Sequence, residues 1–147
     1  GLLEGGRAGV PGGWGAGPCG FALVTGAYRI DNLMLSPTRL DVVDWETLAV
    51  GLPARDLAYW ITTSVEPEVR KAAEGQAISA YHSRLGVDGY DLTTCEEDYR
   101  LGQLHVPLIA TLGWAFTTQT ERGAAMMLAM VRRSCAALRD LGTLELL

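Results

Sequence analysis

Two side chains with hard oxygen atoms, Asn32 and Asp44, lie where the sequence predicts the ends of neighbouring strands. Asn32 closes a loop just before an apolar run, and Asp44 closes the next strand, with a loop after it. Paired strands can bring such residues together on one Mg²⁺, which prefers carboxylate and carbonyl oxygens together with phosphate. Phosphoryl transfer needs such a clamp, because its transition state is stabilised mainly by position and charge. Taken alone, each residue is more often a turn residue or a strand-end cap, and that alternative stays open.

The elements that must position these residues begin with three short apolar runs. We expect strands at Phe21–Val24, Leu33–Leu35 and Leu40–Val43. Ser36–Arg39 separates the last two and contains a proline suited to a tight bend, which indicates a hairpin turn. Short strands with polar loops between them suit a site that is built on loops over a small sheet.

Beyond the strands, the sequence predicts helices. The first covers Ala54 to about Thr63. The second runs from Pro67, a residue favoured at a first helical position, to about Leu85. Glycines at positions 86 and 89 end it. Strands followed by a helical bundle place the chain in the α+β fold class, with strands and helices segregated.

Two capping boxes mark two further predicted helices. The third helix is predicted to start at the box Thr94–Glu97 and to kink at Pro107. Its apolar stripe is predicted to comprise Leu101, Leu104, Leu108, Leu112 and Ala115. The fourth helix is predicted to start at the box Thr118–Glu121 and to stop near Gly142. Its predicted inward face comprises Met127, Val131, Cys135 and Leu138.

The stretch from residue 23 to residue 59 carries three linked motifs. Thr25–Asn32 reads TGAYRIDN, Val43–Glu46 reads VDWE, and Gly51–Tyr59 reads GLPARDLAY. In this order and spacing they resemble the catalytic loop H-G-D-x-x-x-x-N, the metal-binding Asp-Trp-Glu and the G-x-P-x-x-D-L-A of one family. That family comprises the aminoglycoside phosphotransferases and choline-kinase-like enzymes, which have a protein-kinase-like fold. The resemblance concerns its C-terminal lobe.

The resemblance implies an ATP-dependent phosphotransferase that acts on a hydroxyl group of a small molecule. Asn32 and Asp44 would then bind Mg²⁺ and, through it, ATP. Asp56 would hold the backbone of the catalytic loop and would be structural. The implied fold has short strands that carry the catalytic and metal loops, followed by a mainly helical bundle. The acceptor stays open among aminoglycosides, choline-like compounds, sugars and other alcohols.

Two residues depart from the pattern of the catalytic loop. Ala27 stands where the family has its catalytic Asp, and Thr25 stands where it has the preceding His. Alanine has no group that accepts the proton of a substrate hydroxyl, and losing a positioned base typically costs about 10²–10⁴-fold in rate. Asp31 is four residues further along a tight loop and should point elsewhere. No catalytic residue is therefore expected to be intact.

The N-terminal region differs in composition from the rest of the chain. Residues 1–20 hold half of the 18 glycines and are expected to be disordered or non-native, whereas residues 21–147 should form the kinase-like C-terminal lobe. Gly15–Gly20 fits G-x-G-x-x-G, but no predicted strand precedes it and no helix follows, so we expect a chance match. The family's N-terminal lobe and its phosphate-binding lysine are expected to be absent. The start at Gly1 suggests a fragment or an upstream stretch read in the wrong frame.

Composition limits the range of partners. The formal net charge is −5 and no basic face is visible, which argues against nucleic acid as a partner. No apolar run is long enough to cross a bilayer, so no membrane partner is expected. Three widely spaced cysteines fit neither a zinc motif nor a disulfide framework, which favours a cytoplasmic location. His82 and His105 are isolated and are expected to be ordinary packed or exposed histidines.

Three functions remain open from the sequence. The first is a phosphotransferase that is inactive or strongly impaired. The second is a pseudokinase-like module that binds a ligand or a partner after the chemistry was lost. The third is a truncated or decayed gene product. Oligomeric state cannot be read from the sequence.

Overall fold

The computed structural model describes residues 20–116, 118 and 120–147. Four short strands come first: β1 (Ala22–Val24), β2 (Leu33–Leu35), β3 (Leu40–Val42) and β4 (Ala49–Gly51). Five helices follow: α1 (Arg55–Ser64), α2 (Pro67–Leu85), α3 (Leu92–Gly102), α4 (His105–Phe116) and α5 (Glu121–Asp140). Single 3₁₀ turns cover Ile30–Asn32 and Thr143–Leu146. The α+β class with segregated strands and helices is confirmed.

The strands form two separate antiparallel pairs. β2 and β3 make a hairpin in which Leu33 faces Val42, so the residues just outside this pair lie at one end of the hairpin. β1 pairs with β4, with Leu23 opposite Val50. The sequence did not predict β4, because three residues without alternation give no signal until their partner strand is known.

Helix α1 separates two apolar clusters. Ala58 and Ile61 pack against residues of α2 and α3, whereas Tyr59 packs against α4 and α5. A Cβ on Gly102 of α3 would lie 3.0 Å from the Cα of Arg55 and 3.2 Å from the Cβ of Ala58. Only glycine therefore lets α3 approach the start of α1 this closely. The close packing of α3 at Gly102 thus fixes the position of the first turn of α1.

Helix α2 has the predicted bounds, and Gly86 ends it in a left-handed conformation with φ 57°. The predicted start of the third helix is wrong. Its N-cap is Asp91, whose Oδ1 accepts hydrogen bonds from the backbone nitrogen and the hydroxyl of Thr94 at 2.8 Å. Thr94 therefore lies within the first turn, and Asp91 is the better cap because its carboxylate accepts both donors.

Pro107 does not kink a continuous helix, because the predicted third helix is two helices with a break at Gln103 and Leu104. Pro107 lies in the first turn of α4, where its missing N–H would have no partner in any case. The predicted stripe is also wrong, since Leu108 and Leu112 are exposed while Val106 and Ala110 are buried.

The fourth predicted start is also shifted. The N-cap of α5 is Thr120, whose hydroxyl accepts from the nitrogen of Gly123 at 3.1 Å, so Thr118 is not the cap. The fully buried positions of α5 are Met130, Ser134 and Ala137. Cys135, predicted to face inward, is exposed. The predictions for residues 1–19, including most of Gly15–Gly20, lie outside the described part of the chain.

Candidate functional site

The loop after β1 is held by a carboxylate from the start of α1. Asp56 accepts a hydrogen bond from the nitrogen of Thr25 at 2.6 Å and another from that of Gly26 at 3.0 Å. Gly26 has φ 73°, and a Cβ there would lie 2.7 Å from the carbonyl oxygen of Thr47. The two amide nitrogens turn towards the carboxylate because Gly26 can adopt this left-handed conformation. Asp56 therefore braces the loop that leads to Ala27.

Asn32 and Asp44 lie side by side at one end of the β2–β3 hairpin. The amide nitrogen Nδ2 of Asn32 donates to Oδ2 of Asp44 at 2.9 Å and to the carbonyl oxygen of Ala27 at 2.8 Å. Both neighbours are acceptors, which fixes the amide orientation and leaves Oδ1 as its ligand-capable atom. Asn32 is only 7 % exposed, whereas Asp44 is exposed. The hairpin register produces this arrangement, since the nitrogen of Val43 donates to the carbonyl of Asn32.

The turn after β3 is anchored at several points. Asp44 has φ 65°, a left-handed conformation that aspartate tolerates better than most residues. The indole nitrogen of Trp45 donates to the carbonyl of Val42 at 2.8 Å. The hydroxyl of Thr47 donates to the carbonyl of Thr25 at 2.7 Å, which joins this turn to the loop after β1. The segments that carry Asn32, Asp44 and Asp56 thus form one hydrogen-bonded unit.

The side chain of Ala27 is only a methyl group, and the residue takes part in this unit through its carbonyl oxygen, which accepts from Asn32. Thr25, two residues earlier, donates to Asp56 through its backbone nitrogen and accepts from Thr47 through its carbonyl. Its hydroxyl oxygen is buried without a hydrogen-bond partner among the described residues. Asp31 lines a different cavity, between the 3₁₀ turn and α5, and not the one in front of Ala27. The described residues therefore place no carboxylate at the position where the sequence motif would have its base.

A cavity of about 270 Å³ lies in front of Ala27 and Asp44. Its charged lining consists of Asp44, Arg29 and Arg55. Its apolar wall comes from α1, α4 and α5, and is formed by Tyr59, Ile109, Met127 and Met130. The sequence did not predict this cavity, because its wall is assembled from helices that are up to 100 residues from the loop.

His105 and Arg55 meet on one side of this cavity. Nη2 of Arg55 lies 2.7 Å from Nε2 and 3.0 Å from Nδ1 of His105. Burial first, and then the charge of Arg55, lowers the pKa of His105. Both effects favour the neutral ring, which can accept a hydrogen bond from the guanidinium. The sequence did not predict that His105 would contact Arg55, because no local sequence pattern indicates this contact.

Tyr59 completes the deep wall. Burial raises the pKa of its phenol, an effect that Arg29 opposes and that Asp44 and Asp31 reinforce. Arg29 and Asp44 line the same cavity as Tyr59, whereas Asp31 lines the neighbouring one. The phenol stays protonated at neutral pH and is available as a hydrogen-bond donor.

Residues 22–90 match the model of the ecdysteroid kinase-like family. The match covers just under half of the chain, from β1 to the loop after α2, and includes Ala27, Asn32, Asp44 and Asp56. This part of the chain is thus similar to a kinase-like family. The chain has no significant match among curated proteins or among solved structures.

Two further observations concern all the residues that the structure describes. Among the described ranges, no three side chains of the His, Cys, Asp or Glu type lie close enough together to hold a metal ion by themselves. In the same part of the chain, every helix is too short or too polar to traverse a bilayer.

Proposed function

We propose that this chain provides the metal- and nucleotide-binding half-site of an ATP-dependent phosphotransferase that acts on a hydroxyl of a small molecule. The observation that carries the proposal is the hydrogen-bonded pair of Asn32 and Asp44, with Asp56 bracing the neighbouring loop. The match of this region to a kinase-like family supports it independently.

The two side chains fit Mg²⁺. Oδ1 of Asn32 and the exposed carboxylate of Asp44 are both hard oxygen ligands, and their hydrogen bond holds them next to each other. Magnesium is usually held by one or two protein carboxylates together with phosphate oxygens and water, so a full protein cage is not needed. When bound with nucleotide, the ion would neutralise phosphate charge. The remaining chemistry must come from the chain's own side chains.

Those side chains provide no strong base in the described cavity. Ala27 has none, and the ring of His105 lies against the guanidinium of Arg55, which lowers its pKa. We therefore propose phosphoryl transfer about 10²–10⁴-fold slower than with a positioned base. The same geometry favours a second candidate function, a pseudokinase-like module that binds ligand without efficient turnover.

The acceptor is proposed from the cavity alone. The family's name refers to an ecdysteroid kinase. The cavity here is about 270 Å³, below the roughly 300–1,000 Å³ of typical ligand pockets. We therefore propose an acceptor smaller than a steroid. Separately, we propose that neither nucleic acid nor a membrane is a partner.

A thermal-shift titration with Mg²⁺ and ATP tests the binding function. At a ligand concentration of 100 Kd the stabilisation is about 2.7 kcal/mol, which for a chain of this size raises Tm by about 9 °C. Asp44→Asn should abolish this shift without backbone strain, because asparagine also tolerates a left-handed conformation. Asp41→Asn in the same hairpin is the matched control and should keep the shift. A full shift in Asp44→Asn would refute the proposed metal site.

A coupled assay for ADP release separates the two candidate functions. Stabilisation by Mg²⁺ and ATP without acceptor-dependent ADP release supports the binding module. Slow acceptor-dependent release that disappears in Asp44→Asn supports the impaired transferase.

A further inference from the structure

The cavity in front of Ala27 contains two arginines, Arg29 and Arg55, that have no carboxylate partner within 4.0 Å among the described residues. We propose that they bind an oxyanion carried by the acceptor, so that the acceptor is a small anionic hydroxy compound. This inference rests on the proposed function, because it names the substrate class of the same site.

Arg29 is held in an unusual way for a guanidinium. Its Nη1 contacts the thioether sulfurs of Met126 at 3.4 Å and Met130 at 3.8 Å. A thioether is only a weak acceptor, so the donors of Arg29 are poorly satisfied by these contacts. The side chain is partly buried, and Asp31, two residues along the chain, forms no ion pair with it. The methionines therefore position the guanidinium but leave its charge uncompensated.

Arg55, which lines the same cavity, has the same deficit. Its Nη2 is directed at the ring of neutral His105, and its Nε is buried with no partner among the described residues. Asp56, the next residue, uses its two oxygens on the nitrogens of Thr25 and Gly26. Arg55 thus also keeps a charge that the described protein atoms do not neutralise.

The other arginines that are buried or half-buried in the described part of the chain donate to carboxylate or carbonyl oxygens. Arg70 contacts the carboxylates of Glu74 and Asp140, and Arg133 contacts that of Glu66. Arg100 donates to two backbone carbonyls at the end of α5. A partly buried cation without a partner is unfavourable, so such groups are found mainly where a ligand supplies the missing charge. The two unpaired cations share one cavity, and arginine's planar fork suits carboxylate and phosphate groups.

The balance of charge in the cavity favours an anion on the acceptor. Among the described residues, Asp44 is the single acidic side chain in the lining, and the proposed function uses it for Mg²⁺. When that carboxylate binds Mg²⁺, the described lining offers no negative charge to the two guanidiniums, and the phenol of Tyr59 is a further hydrogen-bond donor in the same cavity. An oxyanion about the size of a carboxylate or phosphate would meet them, while the apolar wall would contact the body of the molecule.

Binding of inorganic phosphate in EDTA, without nucleotide or metal, tests the oxyanion site directly. At constant ionic strength with chloride as reference, we expect saturable binding by calorimetry. Arg29→Gln and Arg55→Gln should each weaken it about tenfold or more, because each removes a charge-assisted hydrogen bond. Arg39→Gln, an exposed arginine of the hairpin, is the matched control and should bind as the parent does. Arg55→Lys keeps the charge if the glutamine variant unfolds.

A second arm assigns the oxyanion to the acceptor or to the nucleotide. Glycerate and glycerol share a carbon skeleton and differ in the carboxylate, so glycerate should bind at least tenfold more tightly. Phosphate or glycerate that stays bound when Mg²⁺ and ATP are added supports the acceptor site. Displacement by nucleotide would assign the arginines to the ATP phosphates and overturn the proposal, as would phosphate binding that neither arginine variant weakens. Because the phosphate and glycerate titrations in EDTA need no metal or nucleotide, loss of Mg²⁺–ATP binding alone would refute the proposed function and not this site.

Discussion

Replacing Asp56 by asparagine removes one of the two acceptors that hold the loop after β1. The carboxylate accepts from the nitrogens of Thr25 and Gly26 at 2.6 and 3.0 Å, and asparagine keeps one oxygen and turns an NH₂ group towards the other amide. Hydrogen bonds to a charged group are worth roughly 1.5–3 kcal/mol each. Losing one and weakening the other gives a loss of about 2.5 kcal/mol in the free energy of unfolding. With an unfolding entropy of about 2.1 cal/mol/K per residue, Tm should fall by about 8 °C.

Thermal unfolding followed by circular dichroism measures this change. Asp88→Asn, an exposed aspartate in the loop after α2, is the control and should leave Tm within about 1–2 °C of the parent, as surface substitutions usually do. The amide resonances of Thr25 and Gly26 should shift in the Asp56 variant and not in the control. A loss of less than about 2 °C in Tm would mean that the loop is held by something other than this carboxylate.

Three further outcomes follow from the same geometry. Ala27→Asp should raise acceptor-dependent ADP release by about a hundredfold or more, since it returns a carboxylate to the base position, and an unchanged rate in a folded variant would contradict this reading. Burial and Arg55 lower the pKa of His105, so as pH falls below about 6.5 this histidine is protonated in the unfolded chain before it is protonated in the folded protein. The free energy of unfolding therefore decreases as pH falls through this range. His105→Gln should therefore have a flatter dependence of Tm on pH between about 7 and 5 than the parent, and equal slopes would refute the assignment. Gly102→Ala should lower stability by about 1–3 kcal/mol in urea unfolding, whereas Gly75→Ala, which has open space around its Cβ, should raise it by about 0.4–1 kcal/mol.

The sequence predicted those parts of the fold whose signals are local. Pro67 and Gly86 bound α2 because one residue fits a first helical turn and the other the left-handed end. The turn at Ser36–Arg39 predicted the β2–β3 hairpin for the same reason. The placement of Asn32 near Asp44 also follows from local structure, because twelve residues that fold back as a hairpin must return to the same end. Their role in binding metal stays a prediction.

Features that depend on distant partners were not predictable from the sequence. Strand β4 is defined by β1, about 25 residues earlier. Predicting the break between α3 and α4 requires knowing which helical face packs on α1. The leucine stripe gave the wrong face for α4, since Leu108 and Leu112 are regularly spaced but exposed. His105 lies in the cavity because α4 places it against Arg55, which is fifty residues earlier in the sequence.

Helix α1 connects the two parts of the proposed site, the loop after β1 and the cavity in front of Ala27. Asp56 holds the loop that leads to Ala27, Arg55 reaches into the cavity beside His105, and Tyr59, one turn further on, forms part of its deep wall. Because these three side chains share one rigid helix that is packed on both faces, a shift of α1 moves the loop and the cavity together. The loop's backbone and the arginine that we assign to the acceptor's oxyanion are therefore positioned by the same packing. A substitution in the apolar cluster between α1, α2 and α3 should thus affect phosphate binding and loop order in parallel, although the buried residues of that cluster do not line the cavity.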